Sequence, residues 1–207
     1  MNRQIIVTGT DTDIGKTVFA AGLTNALGGH YWKPVQAGLD DGSDAGRVGA
    51  LGVPQSRILA EAYRLTTPCS PHLAAEIDGV TIDPRRLELP AVEGSLVVEG
   101  AGGALVPVTR GLLYADLFAR WAAPVVVVAR TSLGTINHSL LTVEALRARR
   151  VPILGIAFIG DPEEDSEATI CALSGTRRLG RLPRLDPLDA SSLAAAFAEN
   201  FDPKDFA

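Results

Sequence analysis

The sequence predicts an α/β fold: one domain over residues 1–207, with a mainly parallel sheet, doubly wound, and helices on both faces. Two observations carry this. Apolar, β-branched runs recur between segments of helical spacing, and these runs are continuously apolar rather than alternating, as strands covered on both sides must be. A third agrees: 207 residues, 46% of them hydrophobic, suffice for one sizeable core without disulfides or a structural metal.

The runs fall in order along the chain. "QIIVTG", "HYWKPV", "SLVVEG", "PVVVVAR", "PILGIAFIG" and "LGRLP" read as strands. Helices are expected at Lys16 to Leu27, Gln55 to Tyr63, Tyr114 to Trp121, Thr135 to Arg150, Ser166 to Leu173 and Ala190 to Glu199. From Gln36 to Pro90 the chain is richer in Gly, Pro, Ser and Asp, which predicts an excursion of loops and short helices above the sheet. No internal repeat and no linker interrupts the pattern, and the tail from Phe201 says little.

Composition excludes several classes. The formal net charge is -5 with both signs interspersed, so there is no basic footprint for nucleic acid or an anionic membrane surface. The longest apolar run, Ala122 to Ala129, is too short to span a bilayer, and no leader pattern opens the chain. Cys69 and Cys171 lie far apart and outside any CxxC spacing, which speaks against a disulfide framework or a zinc site and for a reducing, cytoplasmic setting.

The chemistry-bearing residues follow the strands. "VTGTDTDIGKT", residues 7–17, joins the first strand to the first helix. In a phosphate-binding loop, backbone N–H groups point at phosphate oxygens, a lysine reaches the terminal phosphates and the next Ser or Thr serves magnesium. Gly15, Lys16 and Thr17 fill those last positions, although five residues rather than four separate Gly9 from Gly15 and Thr10 stands where a glycine is usual. In "VVEGAGG" Glu99 ends a strand facing the same cleft and offers a metal oxygen. In "YWKPVQAG" Lys33 ends the next strand and brings a second cation toward the terminal phosphate. It is one of three lysines, with Lys16 and Lys204. The loop "DDGSDAG" offers Asp40, Asp41 and Asp44, among which the chemistry does not choose. "RTSLGTINHSLLTVEALRARR" presents a helix N-terminus at Leu133 to Asn137, suited to a carboxylate. His138 there has no companion nucleophile and reads as structural, and the acidic run Asp161 to Glu167 caps a helix.

Together "GTDTDIGKT", "KPVQAG", "SPHLAA", "VVEGAGG" and "GTINHSLLT" resemble, in order and spacing over nearly the whole chain, the dethiobiotin synthetases, which close the ureido ring in biotin synthesis. The resemblance implies a single-domain P-loop NTPase-like fold and a homodimer taking 7,8-diaminononanoate, carbon dioxide or bicarbonate, and ATP with Mg2+. It implies catalytic roles for Lys33, Lys16 and Thr12, with Lys16 and Lys33 flanking the γ-phosphate and carbamate. Thr17, Asp44 and Glu99 become the magnesium ligands, so the family singles out Asp44. Nucleotide contacts are implied for Asp13, Ile14, Gly15, Lys16, Thr17, Val18, Asp44, Glu99, Gly100, Ala101 and Gly102, and at the base for Ile159, Gly160, Pro183, Arg184 and Leu185. Substrate contacts are implied for Thr12, Ala37, Gly134, Thr135, Ile136 and Asn137, the last four from the neighbouring subunit. Two departures stand out: Ala37 lacks a hydroxyl many relatives carry, with Gln36 a candidate replacement, and Ile159-Gly160-Asp161 lacks an asparagine, leaving backbone groups to read the base. Other classes sharing the loop are a partition-type ATPase switch, disfavoured by Thr10 where those proteins carry lysine, and a small-molecule kinase, disfavoured by the lack of an arginine-rich lid.

Overall fold

A computed structural model describes residues 3–40 and 42–206; the candidate Asp41 lies outside the described residues. The strands are β1 Gln4–Gly9, β2 His30–Trp32, β3 Val35–Ala37, β4 Tyr63–Leu65, β5 Leu96–Gly103, β6 Pro107–Thr109, β7 Leu112–Leu113, β8 Val125–Arg130, β9 Ile153–Ile159 and β10 Arg178–Leu182. The helices are α1 Lys16–Ala26, α2 Asp44–Ala50, α3 Pro71–Ile77, α4 Tyr114–Trp121, α5 Thr135–Ala148, α6 Glu164–Ser174 and α7 Ala190–Asn200.

Six strands form one sheet in the order β10-β9-β8-β1-β5-β2, and every pairing in it is parallel. The reason for the unbroken apolar runs is visible in β1, β5 and β8. Ile5, Val7, Val97, Val126 and Val128 pack on the face covered by α1, α2 and α7, while Ile6, Leu96, Val98, Val125 and Val127 pack on the face covered by α4, α5 and α6. A strand with two covered faces needs apolar residues at both parities. β1 lies between β5 and β8, so the loop after it opens where the chain's winding reverses, the usual place for a ligand crevice.

The excursion from Gln36 to Pro90 holds a separate two-stranded parallel sheet, β3 with β4, besides α2 and α3. The helix expected over Gln55–Tyr63 is not formed. After one 3-10 turn at Gln55–Arg57 the chain extends, because the free edge of β2 takes it: Ile58 bridges Tyr31 and the Leu59 N–H donates to the Tyr31 carbonyl at 2.9 Å. Conversely, "DDGSDAG" is not simply a loop. Ser43 caps α2 by accepting from the Gly46 N–H at 3.1 Å, which offsets the poor helix propensity of Gly46 and Gly49.

The tail carries more than its composition announces. Phe201 and Phe206 are buried and join Phe197 of α7 around Phe19 of α1, with ring centroids 5.4–6.2 Å from Phe19. α1, the helix that the phosphate loop runs into, is thereby held from behind by aromatic packing. Among the described residues, no helix is long and apolar enough to cross a membrane.

Candidate active site

The loop between β1 and α1 turns on Gly15, at φ 91°, in the left-handed region that favours glycine. A Cβ there would stand 2.7 Å from Ile159 Cδ1. Lys16 begins the helix and folds back, its Nζ donating to the Asp11 carbonyl at 2.7 Å, while the Asp11 carboxylate accepts from Arg130 Nη2 at 2.6 Å. The loop is therefore tied at both its own helix and the end of β8. Burial is the largest influence on the Lys16 ammonium and, with Lys33 adding to it and Glu99 opposing, draws it from 10.5 to about 8.

Beside Lys16 lies a cluster assembled from four elements. Thr17 Oγ1 stands 2.8 Å from Glu99 Oε1 and 3.0 Å from Asp44 Oδ1. Lys33 Nζ donates to Asp44 Oδ2 and, at 3.2 Å, to Glu99 Oε1. The Tyr31 hydroxyl donates to Glu99 Oε2 at 2.8 Å. Glu99 is 1% exposed and Lys33 5%. Lys33 is thus not the exposed strand-end lysine that its place in the sequence suggests; the excursion closes over it. Burial opposes its charge, but Glu99 and Asp44 more than offset this and hold the ammonium above its ordinary value. Burial likewise opposes ionisation of Asp44, yet Lys33, with hydrogen bonds from Lys33 and Thr17, keeps its carboxyl below the usual range. Burial, then the charge on Glu99, keep Tyr31 well above its ordinary value, so it remains a donor.

These groups floor a cleft of about 890 Å³, also lined by Thr12, Asp13, Gly15, Val18, Ala37, Ala101 and Gly102. Ile14 points away from it into the core, and Gly100 packs beside Phe118 and Val7. Ile159 ends β9, Gly160 follows it, and Pro183, Arg184 and Leu185 follow β10; all sit apart from that lining, with Ile159 beside Gly15. The Gly160 N–H donates to the Leu182 carbonyl at 3.0 Å and is used within the fold, while its carbonyl accepts from Arg181 at 3.3 Å and keeps a second lone pair. Gly134, Thr135, Ile136 and Asn137 open α5, with Gly134 at φ 94° as its cap; Thr135 Oγ1 is buried without a hydrogen-bond partner. Further along α5, His138, Leu141, Thr142 and Ala145 face Thr10–Thr12 and Gly103–Pro107 across a second cavity of about 430 Å³. Thr12 lines both cavities.

Sequence reasoning did not reach one residue here and gave another only part of its role. Tyr31 looks like an ordinary strand aromatic until the register with β5 is known. Gln36, a candidate for the missing hydroxyl at Ala37, lines the cleft and also ties the excursion together: its Oε1 accepts from the Asp44 N–H at 3.1 Å and its Nε2 donates to the Gly38 carbonyl at 2.9 Å.

Comparison with known proteins places this geometry in context. A family model described as an AAA domain matches residues 3–192. An "ATP-dependent dethiobiotin synthetase" of Rhizorhabdus wittichii is 68% identical over 208 residues, covering all of both chains. Its namesake in Novosphingobium aromaticivorans is 68% identical over 203 residues, or 98% of each chain. The chain belongs to the dethiobiotin synthetase family. Among solved structures, a ParA family ATPase from Chlorobium tepidum superposes with a TM-score of 0.57 over 99% of this chain and 96% of its own. A plasmid partition protein from Borrelia burgdorferi also gives 0.57, over 96% and 97%. At 12% identity these two share the fold of this chain.

Proposed function

We propose that this chain closes the ureido ring of dethiobiotin in biotin synthesis, using 7,8-diaminononanoate, carbon dioxide and ATP with Mg2+. The observation that carries the reading is the convergence of two buried ammonium groups, Lys16 and Lys33, on one cleft with Thr17, Asp44 and Glu99. Full-length identity of 68% to ATP-dependent dethiobiotin synthetases supports the choice of substrate.

The chemistry needs no side-chain nucleophile. One amine adds to carbon dioxide and loses a proton to give a carbamate. A carbamate oxygen attacks the γ-phosphorus, ADP leaves, and a carbamic–phosphoric anhydride results. The second amine then attacks the carbonyl carbon, losing a proton as phosphate departs and the ring closes. Each step asks for placement of reactants and for stabilisation of anionic oxygens. Lys16, followed by free N–H groups at the start of α1, faces the phosphates. Lys33 has three N–H groups and two carboxylate partners, which leaves one for an anionic oxygen of the carbamate or γ-phosphate. Thr12 lines both cavities, which supports a place for it beside the reacting carbamate.

The cluster fits a hard divalent cation. The Thr17 hydroxyl has one hydrogen and two carboxylate oxygens within 3.0 Å, an excess of acceptors that a cation ligated by Thr17, Asp44 and Glu99 would resolve. Held by these residues, Mg2+ would supply neutralisation of the phosphate charge. The reading also takes the chain as one domain acting as a homodimer, the start of α5 in a second copy receiving the substrate carboxylate. Two half-buried free cysteines suit a cytoplasmic location.

Incubation with the diamine, bicarbonate and Mg-ATP tests the proposal. Dethiobiotin and phosphate are the expected products. Phosphorylated diamine, or ATP turnover indifferent to the diamine, refutes it.

A further inference from the structure

We infer that Tyr31 is a positioning residue of this site: its phenol fixes the Glu99 carboxylate in the orientation that offers Oε1 to Thr17, Lys33 and a divalent cation. The inference rests on the reading of the cleft as an Mg-ATP site.

The register between β2 and β5 makes the contact. Tyr31 pairs with Val97, and Trp32 with Val98. Side chains of a strand alternate faces, so Val97 and Glu99 project to the same side, toward α1, and Tyr31 packs on that side with Val97. Its long side chain reaches one pleat further and donates to Glu99 Oε2 at 2.8 Å. Lys33, two residues after Tyr31, takes the other oxygen, Oε1, which Thr17 also approaches. One short stretch of chain therefore assigns the two oxygens of a single carboxylate to different duties. The terminal torsion of a glutamate is broad and roughly two-fold, so without an anchor the carboxylate is free to rotate. Tyr31 is wholly buried and Glu99 nearly so.

A second buried phenol gives the contrast. Tyr114 is also wholly buried, and its hydroxyl has no hydrogen-bond partner among the described residues. Loss of that hydroxyl removes no bond, whereas loss of the Tyr31 hydroxyl leaves Glu99 Oε2 without its donor.

Tyr31→Phe and Tyr114→Phe are to be compared with wild type for Mn2+ affinity in the presence of a non-hydrolysable ATP analogue, read by electron paramagnetic resonance. Tyr31→Phe is expected to weaken Mn2+ binding about 10–100-fold, the range for lost outer partners of metal ligands, with metal-free nucleotide affinity unchanged. Tyr114→Phe is expected to match wild type. In a Glu99→Gln background the Tyr31→Phe change should cost no further Mn2+ affinity. Unchanged affinity in Tyr31→Phe, equal loss in Tyr114→Phe, or additive loss in the double variant overturns the inference. A measurement on the wild-type chain does not depend on any variant folding. The three tyrosines are resolved by carbon-13 labelling at Cζ, and the Tyr31 signal should move on adding Mg2+ with nucleotide while that of Tyr63 stays. An unmoved Tyr31 signal overturns the inference alone. Wild-type protein that binds no Mn2+ with nucleotide overturns the metal site and this inference with it.

Discussion

At the proposed phosphate end of the cleft, side chains would carry the chemistry: Lys16 and Thr17 of α1 meet Lys33, Asp44 of α2 and Glu99 of β5, with Lys16, Lys33 and Glu99 buried. At the end beyond β9 and β10 the fold has used the Gly160 N–H, Ile159 packs over Gly15, and Arg184 stands in water with a long 3.7 Å pairing to Asp161. On the proposed reading the first end recognises charge, with side chains that depend on one another. The second end offers shape, so discrimination among bases should be weak there while demand for phosphates and metal is strict.

The largest effect that would sharpen this contrast is expected from Lys33→Met. Turnover should fall roughly 10²–10³-fold, as when one preorganised donor to developing charge is lost. Because Lys33 is buried between two carboxylates, the metal-free protein should also lose about 3 kcal/mol in denaturant unfolding, with Mg2+ restoring much of it. A variant with normal turnover would dissolve the distinction between the two ends.

Next is Glu99→Gln, which should weaken Mn2+ binding with nucleotide by at least about tenfold, since a direct ligand should matter no less than an outer partner. Isothermal titration measures it, and wild-type affinity would remove Glu99 from the metal set.

A pH titration of nucleotide affinity comes third. Binding should weaken as pH rises through about 8, where Lys16 of the free protein loses its proton, approaching about tenfold per pH unit. Stability moves the other way. With a folded value of about 8 below the unfolded 10.5, the unfolded chain holds the extra proton between those pH values, so the Lys16 contribution to stability grows across that window. A flat binding profile through pH 8 would contradict the buried setting of Lys16.

The smallest effect is expected at the other end. Arg184→Ala, exposed and loosely paired, should change stability by no more than about 0.5 kcal/mol and KM for ATP less than about twofold. A large KM change would show that the base end also relies on a side chain.

The same division explains what was legible in the amino-acid sequence. The six sheet strands and five of the six expected helices follow from periodicity, because doubly covered strands and amphipathic helices write their burial into local pattern. Glycine, lysine and threonine after β1 announce their chemistry by spacing alone. The failures lie where distant segments decide. Gln55–Tyr63 has helical spacing but meets the free edge of β2, and α2 is capped by Ser43 in a stretch whose glycines disguise it. The burial of Lys33 depends on Asp44 and Glu99, 11 and 66 residues away, and the use of Tyr31 depends on a strand register.

The aromatic cluster around Phe19 ties α1 to residues far along the sequence. Phe197, Phe201 and Phe206 are synthesised long after the nucleotide loop, which stays without this backing until they have emerged. Nascent chains stopped before residue 197 should therefore carry the whole phosphate motif and still fail to retain ATP.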